Sequence, residues 1–300
     1  MKRLILALFV TLLPVQVNAF EINLNDIGKL VDAGSSLIKS YEDLTPEQEY
    51  YLGRAVAARL LNRFETVKMP KTHAYLQSII NYLVQFSSRP ETFGGYHVQI
   101  LKSENAGAYS APGGYILITT TLLKNCASED ELAGVLAHEI AHISQQHGLA
   151  AIKQAHLTKA GATLGEMMME KKGGSNYQQL QSLTKSFGAS VEDIVKTLID
   201  SGYSVSQETG ADEEAASILS RAGYNPTALA DIVGKIAEAE SGRASGDALN
   251  LKKAFTQTHP GGEKRVVDIR QLIEQEELRI NEVSQKRAKR FKKNHPVHLL

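Results

Sequence analysis

One pentad of the chain, His138-Glu139-Ile140-Ala141-His142, has the residue types and the spacing of a metal-dependent catalyst. Each residue of an α-helix advances by about 100°, so His142 lies about 40° and Glu139 about 100° from His138. The two imidazoles therefore project from one face, a turn apart, and can share one metal ion. Glu139 lies at the edge of the same arc, close to the metal without having to bind it. This H-E-x-x-H spacing is that of zinc peptidases, in which the Glu acts as general base.

A catalytic zinc ion needs a third protein ligand and an open position for water. Metzincins take a third His just downstream, after an intervening Gly, but this chain has Gln145 where that Gly would stand. His147 follows closely, yet on a continuous helix it lies about 180° from His138 and cannot easily reach the same ion. We therefore interpret His147 as structural.

A better third ligand lies downstream, in Glu208-Thr209-Gly210-Ala211-Asp212. Glu208 and Asp212 share one helix face, where Glu208 can bind the metal. Asp212 can accept a hydrogen bond from a metal-bound imidazole, which fixes the tautomer of that ring. The spacing alone leaves open that both are solvated surface carboxylates, because Glu213 and Glu214 are adjacent competitors.

One further His stands in a loop, in Thr258-His259-Pro260. A His held by the following Pro can donate a hydrogen bond to the oxyanion of a tetrahedral intermediate. It can also occupy the open metal position in a resting state, or be an ordinary loop residue, and the sequence does not decide among the three. Tyr203 is a weaker candidate for oxyanion contact, and we interpret it as a buried tyrosine.

Helical periodicity dominates the segments that must position these residues, so we expect a mainly helical α+β fold. Two β-like stretches, 96–101 and 115–120, flank a small-residue segment that fits an edge strand or loop. The predicted helices cover residues 45–67, 72–87, the pentad helix that begins after Ser128, the helix from about 204 to 223, and a long helix from Glu263. Residues 149–190 are interpreted as a mobile insertion or lid, or as ordinary helices with a flexible link.

The long C-terminal helix becomes strongly basic at residues 286–293. This cluster favours a solvated tail, with contact to anionic lipid as the alternative. The chain as a whole carries 33 basic and 33 acidic side chains, so no overall positive field indicates nucleic-acid binding. Its single cysteine, Cys126, cannot form an intrachain disulfide and is interpreted as a small buried residue.

The first nineteen residues predict a cleaved secretory signal peptide. Lys2 and Arg3 precede an apolar run from Leu4 to Leu13, and small residues end the segment at Ala19. Because the run is shorter than the roughly 20 residues needed to span a bilayer, an anchor helix is the weaker interpretation. The residue directly after the predicted cleavage site is Phe20 and not a cysteine, so we expect a periplasmic protein that is not a lipoprotein.

These segments together resemble the CAAX prenyl protease/HtpX-like family of zinc metallopeptidases, in its soluble, secreted bacterial branch. The matching segments are 105–119, 128–133, the pentad with His147, Glu208 to Asp212, and Thr258-His259-Pro260, and the resemblance spans about residues 45–270. Gly210 and the pair Gly107 and Tyr109 depart from the residue types usual in the family. The predicted organisation is therefore a peptidase domain over residues 20–270, followed by a basic helix or tail over 271–300.

The resemblance implies a gluzincin-type fold in which the edge strand of a small sheet flanks the active-site helix. It implies one zinc ion held by His138, His142 and Glu208, with Glu139 as general base. It also implies that Ala106, Gly107, Ala108 and Tyr109 pair with the backbone of a substrate, as an added strand would. His259 and Asp212 keep the roles proposed above.

The sequence thus predicts a zinc endopeptidase of the bacterial cell envelope that cleaves misfolded or membrane-associated proteins. The expected partners are extended polypeptides and an envelope or outer-membrane protein. The alternative is a periplasmic chaperone-like or assembly factor whose zinc site is structural or latent. A structural zinc site is usually closed and rich in Cys, and no Cys lies near the pentad, which favours catalysis.

Overall fold

The computed structural model describes residues 44–150, 191–240, 259–260, 262–282 and 284–295. Within these ranges the chain is mainly helical with a small four-stranded sheet, which confirms the expected α+β class. The predicted signal peptide, the segment before residue 44 and nearly all of the 149–190 insertion lie outside the described residues.

Three helices begin where the sequence predicts them, because polar side chains cap their first turns. Thr45 and Ser204 each form a capping box, and the hydroxyl of Ser128 accepts a hydrogen bond from the backbone of Glu131. The helices are α1 (Pro46–Leu61), α2 (Pro70–Leu83), α3 (Thr120–Asn125), α4 (Glu129–Ser144), α5 (Val205–Arg221), α6 (Thr227–Glu240), α7 (Gly262–Gln275) and α8 (Gln285–Asn294). A 3₁₀ turn spans Val84–Phe86, and a helical segment from 191 ends in a π-helical turn, Thr197–Ser201.

The sheet separates two hydrophobic clusters. Its strands are β1 (Glu65–Thr66), β2 (His97–Lys102), β3 (Ala108–Ala111) and β4 (Tyr115–Thr119), in the order β1-β2-β4-β3. Strand β4 runs parallel to β2 and antiparallel to β3. Because side chains alternate along a strand, Ile116 and Ile118 enter one cluster and Tyr115 and Leu117 the other. Because both faces of β4 are buried, its sequence is a nearly continuous run of apolar residues.

A buried ion pair holds the turn that joins β3 to β4. Glu49 of α1 forms a two-bond contact with Arg89 at 2.6 and 2.9 Å, and it accepts a hydrogen bond from the backbone of Gly113 at 3.0 Å. Gly113 has φ of 76°, a left-handed conformation that favours glycine. Gly53 packs so closely on the carbonyl of Pro112 that an added Cβ would lie 1.6 Å from the oxygen. Helix α1 therefore fixes the position of the edge strand.

Helix α4 lies at the centre of the domain and packs against α2, α5, α6 and β3. Every residue from Glu129 to Ile143 is buried, including the whole pentad. A helix buried on all sides needs no amphipathic stripe, and its polar side chains must find partners inside the protein. The partners of the pentad make up the site described below.

The C-terminal region departs from prediction, because the expected single helix is two helices. Helix α7 ends at Gln275, Glu277 takes φ of 48°, and the backbone of Leu278 donates to Ile273 at 2.9 Å, the closing bond of a Schellman motif. Ile269 and Ile273 are buried as the periodicity predicts, whereas Ile280, beyond the break, is exposed.

The basic helix α8 docks onto the domain, which corrects the expectation of a solvated tail. Arg290 binds both carboxylate oxygens of Glu129, the first residue of α4, and Arg287 contacts Asp130 at 3.2 Å. The hydroxyls of Tyr75 and Tyr224 also donate to Glu129. The first turn of the central helix is thus held by two arginines that the sequence pattern assigned to solvent.

We expect Arg290→Ala to lower the free energy of unfolding by about 1–3 kcal/mol, because the buried Glu129 carboxylate loses its charged partner. Lys289→Ala, on the exposed side of the same helix, should change it by less than about 0.5 kcal/mol. Urea unfolding of the two variants measures the difference. Equal effects would show that α8 does not dock through Arg290.

Candidate metal centre

Helix α4 places the two pentad imidazoles side by side, as the helical spacing predicts. The Nε2 atoms of His138 and His142 lie 3.0 Å apart, and both rings are buried. Two nitrogens that close must share a proton or a cation. The pair therefore forms one wall of a cation site.

Helix α5 brings a carboxylate to the same point. Glu208 follows the Ser204 capping box in the first turn of α5 and is fully buried. Its oxygens lie 3.4 Å from Nε2 of His138 and 3.5 Å from Nε2 of His142. Glu213 is exposed and Glu214 binds Ser88 and Ser144 instead, so neither competing carboxylate reaches the imidazoles.

A fourth donor comes from the loop before α7. Nδ1 of His259 lies 3.1 Å from Glu208 and 3.3 Å from Nε2 of His138. The ligand atoms of His138, His142, Glu208 and His259 all lie within 4.8 Å of one another. Ligands about 2.0–2.1 Å from a tetrahedral zinc ion lie about 3.3 Å from each other, so the spacing of this donor set fits such an ion.

Glu139 lies beside the cluster and outside it. Its side chain is buried, and Oε1 lies 3.4 Å from Nε2 of His259. Among the described residues, neither of its carboxylate oxygens has a hydrogen-bond partner. A buried carboxylate that accepts no hydrogen bond is costly, so this group is a candidate for contact with a bound molecule.

Asp212 lies one turn after Glu208 and faces the other ring nitrogen of His138, with Oδ1 3.0 Å from Nδ1. This is the contact that the sequence predicts for Asp212. Arg265, which the sequence analysis missed, binds Asp212 through Nε and Nη2 at 2.7 Å each and Glu208 through Nη1 at 2.8 Å. A signal was available, because Arg265 falls on the apolar stripe of α7, in register with Ile269 and Ile273.

The charges of these buried groups do not cancel. One guanidinium, Arg265, stands against the carboxylates of Glu139, Glu208 and Asp212, which leaves two negative charges when all are ionised. Burying uncompensated charge is expensive, whereas a divalent cation at the cluster would balance it. The donor chemistry and the charge thus both fit a divalent metal ion.

When no metal is bound, protons on the imidazoles offset part of this negative charge. Although burial opposes a charge on His138, the carboxylates of Asp212 and Glu208 raise its pKa to about 9. Burial lowers the pKa of His142 well below its usual value, and that of His147 to about 4. Burial alone would raise the pKa of Glu208, but the neighbouring imidazoles hold it well below the usual range. The metal-free cluster is therefore a mixed, unevenly protonated group.

The predicted substrate strand lies against α4. Tyr109 pairs with Leu117 and Ala108 with Ile118 of β4, while Gly107 accepts a hydrogen bond from the backbone of Thr119. No strand among the described residues pairs with the other side of β3. Ala106 and Gly107 precede the strand, so the predicted segment is an edge strand with its approach.

His147 and Tyr203 both contact His142. Nδ1 of His147 lies 2.7 Å from Nδ1 of His142, and His147 stays outside the cluster of ligand atoms. The Tyr203 ring stacks on His142 with centroids 4.1 Å apart and an interplanar angle of 18°. Cys126 lies in the hydrophobic core.

Comparisons with known proteins find related peptidases. A model described as Peptidase family M48 matches residues 70–273. The beta-barrel assembly-enhancing protease of Escherichia coli (strain K12) is 24% identical over 250 residues, covering 82% of this chain and 47% of that protein. The mitochondrial metalloendopeptidase OMA1 of Schizosaccharomyces pombe is 22% identical over 244 residues, covering 80% and 66%.

A protease HtpX homolog of Salinibacter ruber is 28% identical over 194 residues, covering 58% of this chain and 67% of that protein. The chain spans about half the length of the beta-barrel assembly-enhancing proteases that it matches. The family model covers more than half of this chain, including α4, α5 and the His259 loop. The chain belongs to peptidase family M48.

Proposed function

We propose that this protein is a zinc-dependent endopeptidase of the bacterial cell envelope. One observation carries the proposal: two imidazoles and a carboxylate from two helices converge within 4.8 Å, beside a buried carboxylate that has no hydrogen-bond partner among the described residues. The same donor set, with the glutamate supplied by a second helix, supports a gluzincin-type assignment of the fold. Membership of peptidase family M48 agrees with hydrolysis of peptide bonds.

His138, His142 and Glu208 would hold the metal. Two imidazoles and one carboxylate form a known ligand set of catalytic zinc. A zinc ion bound there would polarise a carbonyl and lower the pKa of a water molecule towards about 7. Asp212 fixes the ring of His138, and Arg265 holds Asp212 and Glu208 in place.

Glu139 is the proposed general base. Its carboxylate takes the proton of the attacking water and then gives a proton to the departing amine nitrogen. Nε2 of His259 lies 3.4 Å from Glu139 and can donate to the developing oxyanion. In the conformation described, Nδ1 of His259 lies where a fourth ligand would lie, so this role requires the ring to move aside.

The proposed substrates are extended segments of misfolded or membrane-associated proteins. The side of β3 that lacks a described partner strand can accept such a segment as an added strand, through Ala106, Gly107, Ala108 and Tyr109. Strand pairing reads the backbone and selects unfolded chains over compact ones. An envelope or outer-membrane partner is proposed from the names of the beta-barrel assembly-enhancing relatives.

The proposed location is the periplasm, reached through a signal peptide at residues 1–19. Among the described residues, no helix has the length and apolar character needed to cross a membrane. Helix α8 turns Lys286, Lys289 and Lys293 to solvent, and we propose peripheral contact of this face with anionic lipid.

A chaperone-like or assembly factor with a structural or latent zinc site remains the second candidate. The position of His259 favours it, because four protein ligands close a zinc site as in structural centres. Glu139 favours catalysis, because its buried carboxylate has no hydrogen-bond partner among the described residues. A purely structural zinc site does not need such a carboxylate.

We expect Glu139→Gln to reduce cleavage of a labelled unfolded protein by about 10²- to 10⁴-fold, because the general base is lost. Zinc content should stay at the wild-type value, since Glu139 is not a ligand. Glu213→Gln, at an exposed position of α5, is the matched control and should cleave normally. Wild-type cleavage by Glu139→Gln refutes the base assignment. No cleavage by the wild type, together with suppression of aggregation, supports the chaperone-like candidate.

Removal of a proposed ligand should remove the metal. His138→Ala, His142→Ala and Glu208→Gln are each expected to retain less than about a tenth of an equivalent of zinc after dialysis, because two ligands hold the ion poorly. Atomic absorption on purified protein measures the content. Glu213→Gln and His97→Asn, two exposed positions, are expected to keep the full complement. Normal zinc content in Glu208→Gln would overturn the assignment of the third ligand.

A further inference from the structure

The two proposed histidine ligands have different partners on their outer nitrogens. Nδ1 of His138 faces the carboxylate of Asp212 at 3.0 Å. Nδ1 of His142 faces another imidazole nitrogen, Nδ1 of His147, at 2.7 Å. At that distance the contact is attractive only when one of the two nitrogens carries a proton that the other accepts.

The direction of that hydrogen bond follows from the position of His142. Its Nε2 points into the cluster, 3.0 Å from Nε2 of His138 and 3.5 Å from Glu208. A nitrogen that binds a metal must offer a lone pair, so the proton of the neutral ring is on Nδ1. Nδ1 of His142 therefore donates, and Nδ1 of His147 accepts.

We propose that His147 is a positioning residue that fixes the tautomer and the ring orientation of His142. The inference rests on the proposed metal role of His142. The Tyr203 ring covers one face of His142 at 4.1 Å, while His147 holds its edge. These two contacts thus hold the His142 ring in one orientation without a bound metal ion.

A break in helix α4 brings His147 to this position. The helix ends at Ser144, and Gln146 takes φ of 56° with its backbone donating to Ile143 at 3.1 Å. A non-glycine residue in the left-handed region costs free energy, and here it interrupts the helix directly before His147, whose ring lies against His142. On a continuous helix His147 would lie on the opposite side.

A neutral acceptor also suits the charge of the site. Three buried carboxylates already face one guanidinium, so a second aspartate behind His142 would add a negative charge that a divalent ion could not balance. His147 orients its partner without adding charge. The two ligands therefore differ in basicity, with His138 the stronger donor because a carboxylate lies 3.0 Å from its outer nitrogen.

The test compares His147→Ala with His147→Asn, whose amide oxygen can accept the same hydrogen bond. Zinc affinity is measured by competition with a chelator, and the tautomer of His142 by ¹⁵N NMR of metal-free, ¹⁵N-histidine-labelled protein. We expect His147→Ala to weaken zinc binding about 10- to 100-fold and to mix the His142 tautomers. His147→Asn should recover most of the affinity and keep the proton on Nδ1.

His97→Asn, which removes an exposed ring that contacts the carbonyl of Gly94, controls for loss of any histidine. Wild-type affinity and an unchanged Nδ1 proton in His147→Ala overturn the proposal, as does an Nε2 proton on His142 of the wild type. The NMR arm needs no metal, so absence of zinc binding by the wild type would count against the proposed function alone. If His147→Ala does not fold, the tautomer of His142 in the wild type and the zinc affinity of His147→Asn still test the proposal.

Discussion

The burial of three carboxylates around a pair of imidazoles is the constraint on which this structure depends. Glu139, Glu208 and Asp212 lie out of water, and the guanidinium of Arg265 offsets only part of their charge. Such a cluster needs rigid elements to hold it and bound protons or a cation to balance its charge. The central position of helix α4, packed on several sides, supplies the rigidity, and the donor set supplies the place for the cation.

The supporting elements fall into two groups that act at opposite ends of α4. At its first turn, Arg287 and Arg290 of α8 pair with Asp130 and Glu129. At its last turns, Asp212 and His147 hold the outer nitrogens of the two imidazoles. The helix is thereby fixed along its length, which a site needs if ligand atoms are to stay within a few tenths of an ångström.

The proposed chemistry and the proposed substrate meet at the edge of the sheet. Strand β3 packs against α4, and no described strand pairs with its other side, where the proposed substrate would add. The turn at Gly113, which Glu49 binds together with Arg89, joins that strand to β4. Contacts far from the cluster thus hold the strand on which the proposed substrate would pair.

The sequence by itself determined the parts that depend on local spacing. Helical periodicity placed His138 and His142 on one face, capping residues marked the starts of α1, α4 and α5, and β-like apolar stretches indicated β2 and β4. The sequence left Glu208 in competition with Glu213 and Glu214, because carboxylates on one short helix differ only in what the helix packs against. It missed Arg265, and it assigned the α8 arginines to solvent, because their partners lie far away in the chain.

Only the tertiary structure decided those pairings, and it also decided where His147 lies. The helical angle correctly kept His147 away from the cluster, but that angle holds only for a helix that continues. The helix breaks at Gln146, and the His147 ring contacts His142 from outside the cluster. Periodicity describes a regular element, whereas charge compensation and the geometry of a helix break depend on what folds against its ends.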